Sequence, residues 1–501
     1  MRDDTCRADR TGARPRRRPL TSLTGWLAAA AGAVLIAAPA HAASFISTAP
    51  PPIHVAPPVV VAPPRAPVTG TVPGFHPVLR GNPNLGGSNV DNSNGSAGGG
   101  NNGASRTRRQ TLTRRSNNNN NNNGVPPPGE RRYFPDQVVV IESSLTARHT
   151  ALFNRLHLTR IETRRIALIN ATIHTLRITD GGSVTAKIRA LNAGGLRAQP
   201  NFRFELVQAT DSVAAATAQA PDPTQYAVAK LHLDEAHNLS LGNDVLVAII
   251  DSGIDTTHPA LSGVAIKSFD ALNSSEGPHS HGTAIAGIIA GHGRLTGAAP
   301  SVHVLAARAF GTTQGSTTSI LASLDWAVGE HARVVNMSFA GPSDPVLERA
   351  LTAAHQKGVV LVAAAGNAGP KSPPLWPAAD PHVIGVTATD YDDHLFDMAN
   401  RGRQVAIAAP GVDILVARPG NAYKMEKGTS FSAAFVSGVA ALMIERDTKL
   451  TPAQVEKVLL ATAHDLGPKG RDDMFGAGLM DAFQAVSAVV KSADAALQLQ
   501  H

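Results

Sequence analysis

From Val245 onward, near-continuous runs of Val, Ile and Ala alternate with amphipathic stretches. This alternation predicts an α/β fold, a doubly wound parallel sheet with helices on both faces. A β-α-β-β-α-β pattern over residues 137–207 predicts a small ferredoxin-like α+β unit ahead of that sheet. Before about residue 132 there is no apolar periodicity, and 501 residues are too many for one ordinary core.

At the N-terminus, Arg14, Arg16, Arg17 and Arg18 precede an apolar stretch from Trp26 to Ala40, which ends in Ala40-His41-Ala42. A positive flank, a short apolar core and small residues at a cleavage point describe a secretory signal peptide over 1–42, cut after Ala42. The stretch is short for an uncleaved membrane span. No later apolar run is longer, so no membrane segment is expected after cleavage, and the destination is secreted or periplasmic. Cys6, the single cysteine, lies in this leader, which leaves the exported part without disulfides, a cysteine nucleophile or a thiolate zinc site.

Residues 43–132 mix proline clusters (Pro50–Pro52, Pro126–Pro128) with a Gly/Asn/Ser tract and the run Asn117–Asn123. Such a segment cannot bury enough apolar surface to offset its ordering entropy, so it reads as a disordered linker. Within the small unit, assigned to residues 133–210, Val138–Ile141 reads as a strand and Ala147–Leu156 as a helix. Arg165–Ile178 reads as two strands around a turn near Asn170, Ser183–Leu191 as a second helix and Asn201–Val207 as the last strand. RNA-recognition modules share this topology, but their Gly/aromatic signature for stacking bases is missing, and no nucleic-acid partner is expected.

The net charge of +7 conceals an asymmetry: residues 221–501 carry 19 Lys+Arg against 27 Asp+Glu, a formal −8, and residues 1–220 a formal +15. A basic unit ahead of an acidic domain offers electrostatic steering between the two.

In the larger domain, strands are expected at 245–250, 302–307, 333–337, 359–364, 383–388 and 404–408, with helices near 281–290, 317–331, 344–357 and 430–446. Ligands of such sheets sit at the carboxyl ends of strands. Asp251 and Asn367 fall just past two of those ends, and His281 and Ser430 each open a helix. A serine hydroxyl attacks poorly unless an imidazole takes its proton and a buried carboxylate fixes that imidazole. Ser430, His281 and Asp251 fit these three roles. Asn367 and the Ser430 backbone N–H fit the donors that a developing oxyanion requires. Singly, each residue has an ordinary job as a cap, a turn residue or a satisfied core group; their joint occurrence is what points to acyl transfer.

The blocks Ile250–Asp255, Ser280–Thr283, Val335–Phe339, Ala365–Asn367 and Gly428–Ser430 resemble those of the subtilisin-like serine proteases, the subtilases, over about residues 225–490. The acid, histidine, serine order is that of subtilisin. The resemblance implies a subtilisin-like fold for 221–501 and peptide hydrolysis through an acyl-enzyme without an organic cofactor. It also implies an inhibitory prodomain at 133–210 and a self-processing monomeric zymogen whose partners are peptide substrates and its own prodomain. By the same resemblance, Val335–Phe339 is the strand that pairs with the substrate backbone, and Ser338, Phe339 and Ala340, with Ala364, Ala365 and Gly366, form the strands of the substrate-binding pocket. Leu375 fills the pocket floor and favours small residues before the cut. The small-residue run Ala215–Pro221 is then the expected maturation zone.

The sequence also departs from the family. Phe431 stands where many relatives have Met and Ala434 where they have Pro, which alters cleft shape rather than chemistry. Ala260 replaces an acidic calcium ligand and the loop Gly291–Gly297 is shortened, so the family's tight calcium site is expected to be missing. Asp390, Asp392, Asp393 and Asp397 read as an acidic surface loop rather than a hard-cation site. Two alternatives stand beside this reading: a non-catalytic peptide-binding scaffold, in which Ser430 would not react with a phosphonate, and a basic surface- or nucleic-acid-binding protein, which salt-sensitive binding by residues 43–208 would favour.

Overall fold

The computed structural model describes residues 124–207, 225–274 and 276–489. The leader, the linker up to residue 123 and most of the expected maturation zone lie outside the described residues.

The small unit contains β1 (Tyr133–Ile141), α1 (Ala147–Arg155), β2 (Leu158–Ile166), β3 (Ala171–Ile178), α2 (Val184–Ala193) and β4 (Arg197–Leu206). Its strands form an antiparallel sheet in the order β4-β1-β3-β2, the expected topology. Hydroxyl caps start both helices, with Thr146 Oγ1 accepting from the His149 N–H and Ser183 Oγ from the Ala186 N–H, each at 3.3 Å. Asn170 turns the chain between β2 and β3 at φ +48°, a conformation that asparagine tolerates. β2 begins at Leu158, well before the expected Arg165. Only its two end residues are buried, so no apolar alternation marked it.

Successive strand residues point to opposite faces, which explains why Val138–Ile141 is apolar throughout. Val138 and Val140 pack with Leu152, Phe153, Ile188 and Leu191 beneath α1 and α2. Val139 and Ile141, with Ile173 and Phe202, face the other way, onto Ile320, Leu321, Val346 and Leu347 of the larger domain. Polar contacts lock the same seam. Buried Asp344 accepts from Gln199 Nε2 at 2.7 Å and from Thr317 Oγ1 at 2.6 Å, and the Phe202 N–H donates to Thr317 Oγ1 at 3.0 Å.

The larger domain opens with two short helices, α3 (Tyr226–Lys230) and α4 (Leu233–His237). The elements β5 (Leu246–Asp251), β6 (Ile266–Asp270), α5 (Ser280–Ala290), β7 (His303–Arg308), β8 (Gln314–Ser316) and α6 (Thr317–Gly329) follow. Next come β9 (Val334–Met337), β10 (Phe339–Ala340), α7 (Pro345–Gln356), β11 (Val360–Ala364), β12 (Val383–Thr389) and β13 (Ile407–Pro410). A hairpin of β14 (Ile414–Arg418) and β15 (Ala422–Glu426) leads to α8 (Thr429–Arg446) and α9 (Pro452–Thr462).

The central sheet runs β13-β12-β11-β9-β5-β7-β6, every neighbouring pair parallel. Val247 and Ile249 of β5 face the core built on α5 and α8, while Ala248 and Ile250 face the core under α6 and α7. Each fully buried isoleucine here stabilises the fold by about 1.5–3 kcal/mol. β6 adds an edge strand beyond the six expected. β8 and β10 are too short to carry a sequence pattern, and they form because β4 lies between them, antiparallel to both.

Candidate active site

Asp251 ends β5, fully buried, and His281 sits in the first turn of α5. The imidazole Nδ1 lies 2.8 and 2.9 Å from the two carboxylate oxygens. This contact fixes the ring with Nδ1 as the donor and leaves Nε2 as the basic nitrogen. Nε2 is buried and has no hydrogen-bond partner among the described residues. Asp251 is held in turn by the Ser252 N–H at 2.7 Å and Ser252 Oγ at 3.1 Å, and Ser252 Oγ also accepts from the Gly282 N–H at 3.0 Å. Beside this pair, burial and then the neighbouring His281 hold the His279 pKa below its ordinary value.

Ser430 occupies the first turn of α8 and is fully buried. Its hydroxyl is directed at the backbone carbonyl of Val207, at 2.7 Å, with the Ser338 carbonyl at 3.2 Å. Val207 follows β4, and its own N–H donates to the Ser338 carbonyl at 3.1 Å. Asn367 Nδ2 approaches the same Val207 oxygen at 3.5 Å. Asn367 Oδ1 accepts from the Thr429 N–H at 3.1 Å and Thr429 Oγ1 at 2.9 Å, which settles which end of the amide faces the carbonyl. Gly428 keeps the corner open. It has φ +151°, and a Cβ there would meet Asn367 Nδ2 at 2.9 Å and the Val207 oxygen at 3.3 Å.

The remaining expected residues fall around this point. Phe339 and Ala340 pair with Leu206 and Glu205, and Ser338 Oγ contacts the Ser430 carbonyl at 3.2 Å. Leu375 is buried beside Gly366. Thr429 opens α8 within the Gly428–Ser430 block, but nothing in the sequence marks its bond to Asn367, and Val207, just past β4, carries no sequence signal for this site.

The sequence model of the subtilase family matches residues 242–478. Subtilisin Savinase of Lederbergia lenta is 34% identical over 264 residues, which are 51% of this chain and 96% of that protein. The chain belongs to the subtilase family. As a subtilase it is a serine endopeptidase that acts on peptide substrates. Thermophilic serine proteinase of Bacillus sp. (strain AK1) is 33% identical over 323 residues, covering 61% of this chain and 77% of the relative. Among solved structures, fervidolysin from Fervidobacterium pennivorans, a keratinolytic enzyme related to subtilisin, matches with a TM-score of 0.60 at 25% identity. That match covers 73% of this chain and 62% of fervidolysin.

The residues at this subtilase's counterpart of the family calcium site do not fit a cation. Ala260 is buried in an apolar cluster with Leu295, Leu415 and Ala417, and its carbonyl accepts from the His292 N–H at 2.8 Å. In the acidic loop, Asp390 Oδ1 accepts from the Asp392 and His394 N–H groups, and Asp393 pairs with Lys230 at 2.9 Å. No group of three or more His, Cys, Asp or Glu able to hold a metal occurs among the described residues, and no described helix is long and apolar enough to cross a membrane.

Proposed function

We propose that this subtilase is an exported, self-processing zymogen in which Ser430 is the nucleophile, His281 the general base and then acid, and Asp251 its orienting carboxylate. The observation that carries the reading is the Val207 carbonyl, 2.7 Å from Ser430 Oγ, at the end of a strand paired on both sides by β8 and β10. Residues 203–207 lie as a substrate would, and the bond they offer is the one between Val207 and Gln208.

In that frame Ser430 Oγ attacks the Val207 carbonyl carbon as its proton passes to His281 Nε2. Negative charge gathers on the carbonyl oxygen beside Asn367 Nδ2 and the N–H groups opening α8, where the helix terminus favours it. His281 then protonates the departing Gln208 amine. Water, deprotonated by the same nitrogen, releases the acyl group from Ser430. The small unit is the prodomain: its strand fills the groove until it is cut and leaves. Leu375 is read as the pocket floor, favouring small residues before the cut, and Val207 is the residue that would occupy that position in the first cut. This bond lies upstream of the Ala215–Pro221 run, which then belongs to later trimming. Export rests on the 1–42 leader, and one relative is named a minor extracellular protease.

Mass and N-terminal sequence of the first products separate the outcomes. Secreted wild-type chain is expected to give a fragment ending at Val207 and a partner starting at Gln208, and Ser430→Ala to give neither. A first cut within Ala215–Pro221 would remove the assignment of Val207, and cutting of Ser430→Ala at the wild-type rate would remove self-processing.

A further inference from the structure

We propose that Asn400 is a positioning residue for turnover, holding the backbone that presents Asn367 to the scissile carbonyl. The proposal rests on the reading of Asn367 as oxyanion donor.

The chain leaves the central sheet at Ala364, whose last ladder partner is Val386. It then turns through Gly366 at φ +111° before reaching Asn367. Beyond Ala365 the sheet ladder gives this loop no further support, and a second segment does so instead. The Asn400 side chain donates through Nδ2 to the Ala365 carbonyl and accepts through Oδ1 from the Ala368 N–H, both at 2.9 Å. Its own backbone N–H donates to the Gly366 carbonyl at 3.0 Å, and the Met398 carbonyl accepts from the Gly369 N–H at 2.9 Å. One amide therefore grips the backbone on both sides of Gly366-Asn367. Asn400 is fully buried, so a group that lost its partner here would stay unpaired.

The chemistry is specific to an amide, which donates at one end and accepts at the other. An aspartate of the same shape could accept from Ala368 but would set oxygen against oxygen at Ala365. The fit also accounts for Gly366, because a Cβ there would lie 2.3 Å from Asn400 Nδ2. Thr429 fixes the Asn367 rotamer and Asn400 fixes the backbone that carries it. Asn367 Nδ2 stands 3.5 Å from the Val207 oxygen, while oxyanion donors work at about 2.7–3.1 Å. With so little reach to close, a displacement of about 1 Å costs on the order of 100-fold in rate. Asn400 reaches the reacting atoms only through this loop.

The test is a double-mutant cycle on secreted enzyme, with active sites counted by exhaustive reaction with a serine-directed phosphonate. Asn400→Asp and Asn400→Ala are made in the wild-type and Asn367→Ala backgrounds and assayed on a peptide anilide, and a peptide boronate probes the tetrahedral state. In the wild-type background kcat is expected to fall about tenfold or more, with KM within about twofold and boronate affinity weakened in step. In the Asn367→Ala background the further loss is expected to be under about twofold. Equal losses in both backgrounds, or Asn400→Asp turning over at the wild-type rate while Asn367→Ala is impaired, would overturn the proposal. If Asn400→Ala fails to accumulate, Asn400→Asp and Asn400→Ser are read in the same way. An Asn367→Ala enzyme of undiminished kcat would remove the underlying reading and the proposal with it, a result distinct from a silent Asn400.

Discussion

The Val207 carbonyl oxygen lies 2.7 Å from Ser430 Oγ, so this hydroxyl is directed at the chain's own backbone, while the buried His281 Nε2 has no hydrogen-bond partner among the described residues. Hydroxyl and carbonyl thereby meet before any peptide arrives from outside.

Processing should depend on the side chain of Val207, which is buried in the main apolar cluster. A carboxylate there would be desolvated, at a cost of several kcal/mol. Val207→Asp is expected to slow the appearance of the cut fragment at least tenfold, and Val207→Ala to stay close to wild type, in a time course resolved by mass. Enzyme that does mature should turn over added peptide normally, because Val207 has left it.

Gln199 supplies one of the donors to buried Asp344 across the seam between the two units. Burial pushes the Asp344 carboxyl pKa up, and the Gln199, Thr317 and α7 N-terminal donors pull it back. Gln199→Leu removes a hydrogen bond to this group, worth about 1.5–3 kcal/mol. The cut small unit should then dissociate from the enzyme about tenfold faster or more, measured as the lag before activity appears after processing.

His174 of β3 is buried with Nε2 unpartnered among the described residues, and Nδ1 lies 3.1 Å from Thr163 Oγ1. Burial, aided by Arg160 and opposed by Glu142, lowers its pKa from the ordinary 6.5. The unfolded chain therefore binds a proton that the folded one refuses. The stability involved is complete above about pH 6.5 and falls as pH drops toward the lowered folded value. In the uncut Ser430→Ala chain, His174→Leu should flatten the fall of the denaturant midpoint between neutral and acidic pH. An unchanged slope would assign that fall to other groups, among them His279 and His355, whose pKa values burial also lowers.

Chelation should leave the thermal midpoint of the mature enzyme where it was, because Ala260 sits among Leu295, Leu415 and Ala417 instead of facing a cation. A marked drop after EDTA, reversed by calcium, would reveal a site elsewhere.

Most of the fold was legible because its strands are short, fully apolar runs with helices between them. β5 and β11 needed nothing more, and Asp251 and Asn367 were found by their positions at those strand ends. β2 was not legible before Arg165, since its residues serve a solvent-facing strand and carry no alternation. β8 and β10 depend on a third strand, β4, that lies far from them in sequence. Asn400 escaped for a related reason, and Thr429, though inside the Gly428–Ser430 block, was not read as a partner of Asn367. Their work is done by side-chain bonds to a loop remote in the chain, and neither residue type announces such a partner.

The outward face of the small sheet, Val139, Ile141, Ile173 and Phe202, finds its burial on the larger domain. In the zymogen proposed above, cutting the covalent link and releasing the unit would expose that oily surface to water and strip β8 and β10 from β4. A loosened fragment would be food for the hydrolase it had just vacated. Its digestion would destroy the competitor best shaped to re-enter the groove, so activation under that proposal would behave as a ratchet, driven forward by the enzyme's own appetite.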